Sequence, residues 1–444
     1  MLTSLLLLFT LVLPAPQQPP GDNPYAAKGQ TILALLREEK YADVVSQLQP
    51  AIAAALTEAQ LRTAWTTLGG QVGPFKQVLS TRVAPSAGMQ VAVVTCQFER
   101  AVIDLQVGFD AEGRIGALLM RPSTAPAAAA AYVPPPYATP SAYTETEITV
   151  GAGTSWPLPG TLTMPAGAGP FPLVVLVHGS GANDRDESVG SNKTFKDLAL
   201  GLASQGVAVL RYEKRTRQYP GKLAAVPTAT VKDEVIDDAL AAVALARSTF
   251  RVDRTRIFVL GHSLGGKLVP RIGAADSALK GLIVMAGPVR SVQQAIVDQT
   301  SYLASLDGRI DPPEQEQIDE AAKVAATIAG LTPADAGKPQ MYQGAAASYW
   351  LDLRGYDPPA VARSLKQPML VLQGERDYQV TMADFAKWKE ALGGRTDVVF
   401  HSYALLNHLF LPGAGPANPG EYAVSGHVPE CVIRDISTWV AAQR

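Results

Sequence analysis

The feature that most constrains the fold is a series of short apolar runs that alternate with helical patterns from Thr144 onward. The runs are nearly continuous and bounded by Gly or Pro: Leu173 to Val177, Val207 to Leu210, Ile257 to Leu260, Leu282 to Met285 and Met369 to Leu372. Strands without polar alternation are typical of a parallel sheet that is buried on both faces. Helical patterns lie between them, such as Phe195 to Ser204 and Asp233 to Arg247. The pattern therefore predicts an α/β domain with a doubly wound, mostly parallel sheet over residues 144–444.

One long interval between two of these strands breaks the alternation. Residues from about 289 to 365 carry helical patterns, Ser291 to Leu306 and Pro313 to Ile328, and no strand pattern. We therefore expect a helical cap inserted into the domain. Its aromatic residues could wall a substrate pocket or pack within the cap itself: Tyr342, Tyr349, Trp350 and Tyr356.

Residues 25–121 show a different pattern, in which helices precede strands. Helical patterns cover Gln30 to Leu36 and Tyr41 to Ala55, and alternating runs cover Gln90 to Phe98 and Ala101 to Phe109. This order predicts a small α+β accessory domain. Its charged residues are expected to be solvated strand positions rather than a second active site: Glu99, Arg100 and Asp104. The Ala/Pro-rich stretch over residues 122–143 predicts a semi-rigid linker.

The N-terminal apolar run Leu5 to Leu13 is too short for a membrane span, because a helix needs about 20 residues to cross a bilayer. Its length and its position before a Pro-rich segment are typical of a signal peptide, although no Lys or Arg precedes it. We therefore assign residues 1–24 to a signal peptide and Pro-rich segment. This assignment predicts a secreted or periplasmic protein without a stable membrane span, and a single-pass anchor or a misassigned start is the alternative.

The sharpest chemical signal is Gly261-His262-Ser263-Leu264-Gly265, which fits the pattern G-x-S-x-G between a buried strand and a helix. Such a turn holds its serine in a strained conformation with the hydroxyl exposed, and the flanking glycines avoid clashes with the strand and the helix. We predict Ser263 as a nucleophile. His262 is expected to pack beneath the turn.

A serine hydroxyl needs a base to remove its proton, and a third group must orient that base. In this fold class the acid and then the histidine follow the nucleophile. Asp377, in the loop after the strand that begins at Met369, is the predicted acid, and Glu375 of the same loop is the alternative. His408 follows an alternating run that ends at Tyr403 and is the predicted base. Packed or solvent-facing roles are expected for His401 and His427.

An attacked carbonyl becomes an oxyanion, which preorganised backbone N–H groups must stabilise. One N–H is predicted to come from Leu264, directly after the nucleophile. The other is expected from the loop that follows the Leu173 strand, where we choose Ser180 over Gly181. His178, at the start of this loop, is expected to support the loop rather than to titrate.

Composition narrows the function classes. Lys and Arg total 38 against 40 Asp and Glu, so the net charge of -2 offers no attraction for nucleic acids. The two cysteines, Cys96 and Cys431, cannot form a disulfide framework and are expected to be small buried hydrophobes. No phosphate-binding loop, paired Cys-x-x-Cys or His-Glu-x-x-His occurs, so neither a cofactor nor a metal is implied.

A mixed group of charges falls in the loops after consecutive strands, where it could grip a polar substrate or form a salt-bridged scaffold. Because both signs are interspersed, we favour the scaffold; the group is Asp184, Arg185, Asp186, Glu187, Lys193, Lys214 and Arg215.

From about Thr144 to Arg444 these residues resemble the α/β-hydrolase superfamily, and in particular secreted bacterial esterases with an N-terminal accessory domain. Beyond the serine motif, three strings carry the resemblance: HGSGANDRDE at 178–187, RYEKR at 211–215 and LNHLF at 406–410. The sequence departs from the usual strings at Glu213, where Asp is common, and at Ala182, where Pro is common. The accessory domain resembles nuclear-transport-factor-like domains. The resemblance implies esters of small or medium acyl groups as substrates.

The sequence thus predicts a serine carboxylic-ester hydrolase in which Ser263 forms an acyl-enzyme, His408 transfers the proton and Asp377 orients His408. An acyl-CoA thioesterase, an acyltransferase or a serine aminopeptidase could use the same residues, although export argues against coenzyme A. A non-enzymatic envelope-binding module is the alternative from another class. The expected partner is a small acyl ester.

Overall fold

The computed structural model describes residues 23–86, 89–99, 101–123, 132–338 and 340–443. The chain divides into two compact units, one drawn mainly from residues 23–132 and the other mainly from residues 133–443. Residues 1–22 of the predicted signal peptide and Pro-rich segment lie outside the described residues, as does Arg100, whereas its last two residues, Asn23 and Pro24, cap and begin a helix. Within the described ranges, every helix is too short or too polar to cross a membrane.

The first unit consists of helices followed by an antiparallel sheet. Its helices are α1 (Pro24–Arg37), α2 (Tyr41–Val45), α3 (Pro50–Ala55) and α4 (Glu58–Val72). Its strands, β1 (Phe75–Ser86), β2 (Met89–Phe98), β3 (Val102–Phe109) and β4 (Ile115–Pro122), pair in chain order. Ile32 and Leu36 lie one turn apart on α1 and share a buried core with Val94 and Leu105 of the sheet. The apolar periodicity of α1 therefore explains how the helix covers the sheet.

The α+β organisation matches the prediction, but several details differ. The predicted helix from Tyr41 to Ala55 is two helices, because Pro50 lacks an N–H and begins a new helix. The sequence patterns do not predict α4, β1 or β4. The expectation of a solvated Asp104 is wrong: Asp104 is buried and accepts hydrogen bonds from the hydroxyls of Thr95 (2.7 Å) and Ser123 (2.5 Å). These two donors replace the water that the carboxylate loses.

The second unit is built on an eight-stranded sheet in the order β16-β15-β12-β11-β7-β10-β6-β5. Strands β7, β10, β11, β12, β15 and β16 are parallel, and β6 and β5 form an antiparallel edge. The strands are β5 (Tyr143–Val150), β6 (Leu158–Pro165), β7 (Phe171–Val177), β10 (Ala208–Tyr212), β11 (Val252–His262), β12 (Gly281–Met285), β15 (Met369–Gly374) and β16 (Val398–Tyr403). The predicted α/β-hydrolase architecture is thus confirmed.

Helices cover both faces of this sheet. They are α5 (Thr194–Ser204), α6 (Arg215–Gln218), α7 (Pro220–Ala224), α8 (Asp237–Ser248), α9 (Leu264–Ala275), α10 (Val292–Ala304), α11 (Pro312–Ala329), α12 (Ala347–Arg354), α13 (Pro358–Ser364), α14 (Met382–Leu392) and α15 (Glu430–Ala442). One π-helical turn, Lys232–Ile236, leads into α8. Along β11, Val259 belongs to the core beneath α8 and α9, whereas Phe258 and Leu260 belong to the core beneath α5 and α15. The central strands are therefore buried on both faces, as their uninterrupted apolar runs predict.

Three features of this unit differ from the sequence predictions. The edge strands β5 and β6 have no predicted counterpart, and the cap contains a short hairpin, β13 (Met341–Tyr342) and β14 (Ala345–Ala346), where no strand is expected. A second small hairpin is formed by β8 (Ser188–Val189) and β9 (Asn192–Lys193). The end of the predicted linker is packed: Tyr137 donates to the carbonyl of Val428 at 2.6 Å, and Ala138 is buried. These contacts tie that segment to α15 and its preceding loop.

Candidate active site

The serine motif forms the sharp turn between β11 and α9. Strand β11 ends at His262 and helix α9 begins at Leu264, so Ser263 makes the turn alone, with φ 53° and ψ −118°. Its N–H donates to the carbonyl of Met285 at 2.9 Å, and its own carbonyl accepts from the N–H of Lys267 at 2.9 Å. A non-glycine residue in such a conformation costs about 1–3 kcal/mol and persists only when its surroundings enforce it. Strand β12 and helix α9 provide that enforcement.

The glycines of the motif are required by close backbone packing. A Cβ atom added to Gly261 would lie 2.3 Å from the carbonyl of Gly265. A Cβ atom on Gly265 would lie 2.2 Å from the carbonyl oxygen of Val177. Because both obstacles are backbone atoms, the side chain could fit only if α9 or β7 moved.

Replacing Gly265 with alanine should therefore destabilise the fold by about 3 kcal/mol or more, the upper range for overpacking. Urea unfolding followed by circular dichroism would measure this loss. The matched control is Gly221→Ala on α7, where an added Cβ meets nothing within 4 Å. That change should leave stability equal or raise it by up to about 1 kcal/mol, since alanine restricts the unfolded chain. Equal stability of both variants would contradict the tight-turn explanation.

Asp377 and His408 meet at the carboxyl edge of the sheet, in the loops that follow β15 and β16. The two side chains are buried, and Nδ1 of His408 lies 2.7 Å from Oδ2 of Asp377. The other carboxylate oxygen, Oδ1, accepts from the N–H groups of Gln379 (2.8 Å) and Val380 (2.9 Å). These bonds fix the carboxylate and favour the imidazole tautomer with its proton on Nδ1. Nε2 is then the nitrogen that can accept a proton.

His408, the predicted base, lies next to the serine turn of residues 261–265, called here the elbow, whereas the alternative acid does not. The ring of His408 lies 4.8 Å from the ring of His262, centroid to centroid, and His262 directly precedes Ser263. Glu375 is exposed and accepts from the hydroxyl of Ser402 at 2.7 Å. The structure therefore brings Asp377, and not Glu375, together with His408.

The loop of residues 178–187 after β7, called here the β7 loop, lies against the elbow. A Cβ built on Gly179 would be 3.0 Å from Cβ of Ser263. The carbonyl of Gly179 accepts from Nζ of Lys214 (2.7 Å) and from Nδ2 of Asn183 (3.1 Å). Since a trans peptide is planar, fixing this carbonyl also fixes the opposing N–H of Ser180. At the other side of the turn, the N–H of Leu264 opens helix α9 and has no intrahelical acceptor.

The remaining predicted histidines occupy different environments. His178 is buried between the rings of Phe195 and Tyr212, and burial lowers the pKa of His178 to about 4. Its ring is therefore neutral near pH 7, as expected for a group that supports the loop. His427 lies 3.0 Å from Asp197, and the largely exposed His401 lies on β16. His262 does more than pack beneath the turn, because it contacts both Glu187 and the backbone of His408.

The mixed charges predicted as a scaffold are paired with neighbouring charges. Their ion pairs are Arg185 with Glu147 and Glu213, Lys193 with Asp186, Lys214 with Glu234, Arg215 with Asp238, and Glu187 with His262. Asp184 accepts from the N–H groups of Asp186 and Ser188. Arg211, which is not part of the predicted charge group, is buried and pairs with Asp186 and Glu145. These pairs support the scaffold interpretation.

The aromatic residues of the cap serve its packing and its attachment. Trp350 is buried and donates from Nε1 to the carbonyl of Tyr342 at 2.8 Å. The hydroxyl of Tyr356 donates to the carbonyl of Lys267 on α9 at 2.7 Å. Tyr342, Tyr349 and Tyr356 pack against a hydrophobic cluster that contains residues of both the cap and the sheet. Of the two expectations for these residues, packing is the one that these contacts support.

Comparison with known proteins agrees with this architecture. Residues 174–423 match the family described as "Alpha/beta hydrolase family", and residues 30–118 match a family described as a protein of unknown function, DUF3887. The chain is 38% identical over 405 residues to Esterase EstD of Thermotoga maritima, covering 91% of this chain and 92% of that protein.

Among solved structures, an esterase from Pyrococcus furiosus is 16% identical, with a TM-score of 0.42. The match covers 68% of this chain and 91% of the chain of that esterase. Est1E from Butyrivibrio proteoclasticus is also 16% identical, covers 67% of this chain and 98% of its own, and has a TM-score of 0.42. The sheet order, the serine turn and the match over most of EstD lead to one assignment. The chain belongs to the α/β-hydrolase family.

Proposed function

We propose that the protein hydrolyses carboxylic esters with small or medium acyl groups through an acyl-enzyme. Ser263 attacks the acyl carbon, and Nε2 of His408 takes the serine proton. Asp377 orients His408 and stabilises the imidazolium that forms. His408 then returns the proton to the alcohol as the ester C–O bond breaks. Water attacks the acyl-enzyme with His408 again acting as base, the bond from the acyl carbon to Oγ breaks, the carboxylic acid is released and His408 returns the proton to Ser263. The similarity to Esterase EstD supports ester bonds as the target.

The observation that carries this proposal is the buried Asp377–His408 hydrogen bond of 2.7 Å beside a strained serine turn. Both groups come from separate loops of the sheet edge, so local sequence does not force them together. A carboxylate held by two backbone N–H groups cannot rotate away from the imidazole without losing those bonds. Such an arrangement is what activation of a serine hydroxyl requires.

We assign the oxyanion donors to the N–H groups of Leu264 and Ser180. Both lie next to the serine turn, one on α9 and one on the β7 loop. Lys214 and Asn183 hold the carbonyl of Gly179, which preorganises the N–H of Ser180. Gly181 N–H stays the alternative donor. Loss of one such donor typically costs about 10²–10³ in kcat.

A panel of substrates tests the reaction class. Aryl esters of graded acyl length, acyl-CoA thioesters and aminoacyl anilides should be assayed side by side with the full chain. We expect the highest kcat/KM on short or medium esters. Preferential cleavage of acyl-CoA or of anilides would replace the proposal with the thioesterase or aminopeptidase alternative, and absence of turnover together with absence of fluorophosphonate labelling would favour a binding module.

We also propose that the protein is exported. The apolar run Leu5 to Leu13 before a Pro-rich segment supports this proposal. Fractionation of the producing cells, followed by N-terminal sequencing of the mature protein, would test it. An intact N-terminus in the cytoplasmic fraction would contradict export.

A further inference from the structure

A buried glutamate behind the elbow connects three segments that carry the proposed catalytic groups. Oε1 of Glu187 accepts a hydrogen bond from the N–H of Gly179 at 2.6 Å. Oε2 of Glu187 lies 3.0 Å from Nδ1 of His262. Nε2 of His262 lies 2.9 Å from the backbone carbonyl oxygen of His408. The contacts therefore run from the β7 loop through the elbow to the loop after β16 that carries His408, called here the base loop.

The partners of His262 indicate where its protons are. A carbonyl oxygen can only accept a hydrogen bond, so Nε2 donates to His408. Oε2 of Glu187 lies 3.0 Å from Nδ1 without the alignment of a hydrogen bond, so the contact is one of charge, and the negative carboxylate stabilises a proton on Nδ1 as well. An imidazole that carries a proton on both nitrogens is an imidazolium. Because Glu187 and His262 are 3% and 2% exposed, they form an ion pair out of contact with bulk water.

Electrostatics around the pair agree with this arrangement. Burial disfavours a charged ring, but the attraction of Glu187 outweighs it and the pKa of His262 lies above its ordinary value of 6.5. Asp377 acts in the same direction, and the imidazolium in turn holds the pKa of Glu187 below its ordinary value. On the side of the β7 loop, Lys214 is paired with Glu234, and burial keeps His178 neutral near pH 7.

We propose that Glu187 and His262 are positioning residues, whose ion pair holds the β7 loop and the base loop in register with Ser263. This inference rests on the proposed catalytic triad. The imidazolium is present below the folded-state pKa of His262 and is lost as the pH rises through it. In a neutral ring one of the two nitrogens carries no hydrogen and faces an acceptor atom, either Oε2 of Glu187 or the carbonyl oxygen of His408. Because two acceptors repel each other, that contact is lost.

The expected consequence is an alkaline fall in kcat that belongs to His262. Small misalignments of reacting groups reduce the rate strongly, whereas binding of a small ester depends on them less. We therefore expect kcat to fall above the pKa of His262 while KM stays within about threefold. The titration midpoint of His262 and the midpoint of the alkaline limb should coincide.

Two substitutions of Glu187 distinguish the effect of its negative charge from the effect of its contacts with Gly179 and His262. In Glu187→Gln the amide oxygen can accept from Gly179 and the amide N–H can donate to Nδ1 of a neutral His262, which still donates from Nε2 to His408. This variant should keep kcat within about tenfold of the wild type and lose the alkaline limb. Glu187→Ala removes both contacts and should lower kcat by about 100-fold, with KM little changed.

Nitrogen NMR of the full chain labelled with nitrogen-15 histidine reads the protonation state without turnover. The chain contains five histidines, so the ring signals can be assigned individually. We expect a doubly protonated ring at pH 7 whose signal disappears in His262→Gln. In Glu187→Gln the ring of His262 should be neutral at the same pH.

The inference would be overturned if His262 of the wild type were neutral at pH 7, for example because the proton lies on Glu187. An alkaline limb that persists unchanged in Glu187→Gln would overturn it as well. Asp276→Asn is the control for lost stability, because it breaks the ion pair with Arg247 at the far end of α9. It should lower the melting temperature and leave the pH profile unchanged. The NMR signal does not depend on catalysis. A failure of the proposed triad would therefore be detected separately, as retained activity in Ser263→Ala.

Discussion

Substitution of Ser263 by alanine should lower kcat by about 10⁵- to 10⁶-fold, because no other group at the elbow can form the acyl-enzyme. The fold should persist, since alanine at φ 53° meets the same backbone environment as serine and the N–H to Met285 remains. Steady-state hydrolysis of an aryl ester measures the loss. Covalent labelling by a fluorophosphonate should disappear in the same variant.

Ser248→Ala is the matched control, because Ser248 is an exposed serine at the end of α8 whose hydroxyl donates to the carbonyl of Leu245. It should retain both labelling and turnover. If Ser263→Ala still labels while its circular dichroism is unchanged, the nucleophile lies elsewhere and the proposed mechanism fails. A residual rate far above the uncatalysed reaction is still expected, since the oxyanion donors and the binding contacts remain.

The second large effect is expected for Asp377→Asn. The amide preserves the size of the side chain and can present an N–H to Nδ1 of His408. Nδ1 must then accept, so the proton moves to Nε2 and the ring can no longer take the serine proton. By analogy with other triads, kcat should fall about 10⁴-fold with little loss of stability. Ester kinetics at several pH values and thermal unfolding would measure the two quantities.

Glu375→Gln serves as the comparison within the same loop. Glu375 is exposed and contacts Ser402, so removal of its charge should change kcat by less than about twofold. A larger loss in Glu375→Gln than in Asp377→Asn would exchange the assignments of the two carboxylates. Equal small losses would show that neither carboxylate orients the base.

The central strands and the elbow could be predicted from sequence because each is encoded in adjacent residues. A continuous apolar run can be recognised without knowledge of its neighbouring strands; Leu173 to Val177, for example, is apolar throughout and is buried on both faces. The serine motif carries its own context of strand, glycines and helix. The order of elements in this fold class narrows the acid to the loop after β15, which contains both Asp377 and Glu375, and indicates His408 as the histidine.

The edge strands and the buried carboxylates could not be predicted in the same way. Strand β6 contains Thr161 and Thr163, whose hydroxyls donate to Glu147 and Glu145 of β5. The polar residues of β6 are therefore explained by its partner strand and do not form an apolar run that could be recognised in the sequence. Asp104 is buried because Thr95 and Ser123 satisfy it, and both lie in other segments. In each case the environment of the residue depends on a neighbour that is distant in the chain.

The sequence by itself determined the parallel sheet and the strained turn at Ser263, because periodicity and backbone sterics act over a few residues. Only the tertiary structure decided that Asp377 rather than Glu375 meets His408, and that Glu187 links the β7 loop through His262 to the backbone of His408. The physical reason is that β7 and β11 are neighbours in the sheet, and β12 and β15 follow in order. This strand order brings loops that are far apart in sequence to one sheet edge, where contacts of about 3 Å are formed.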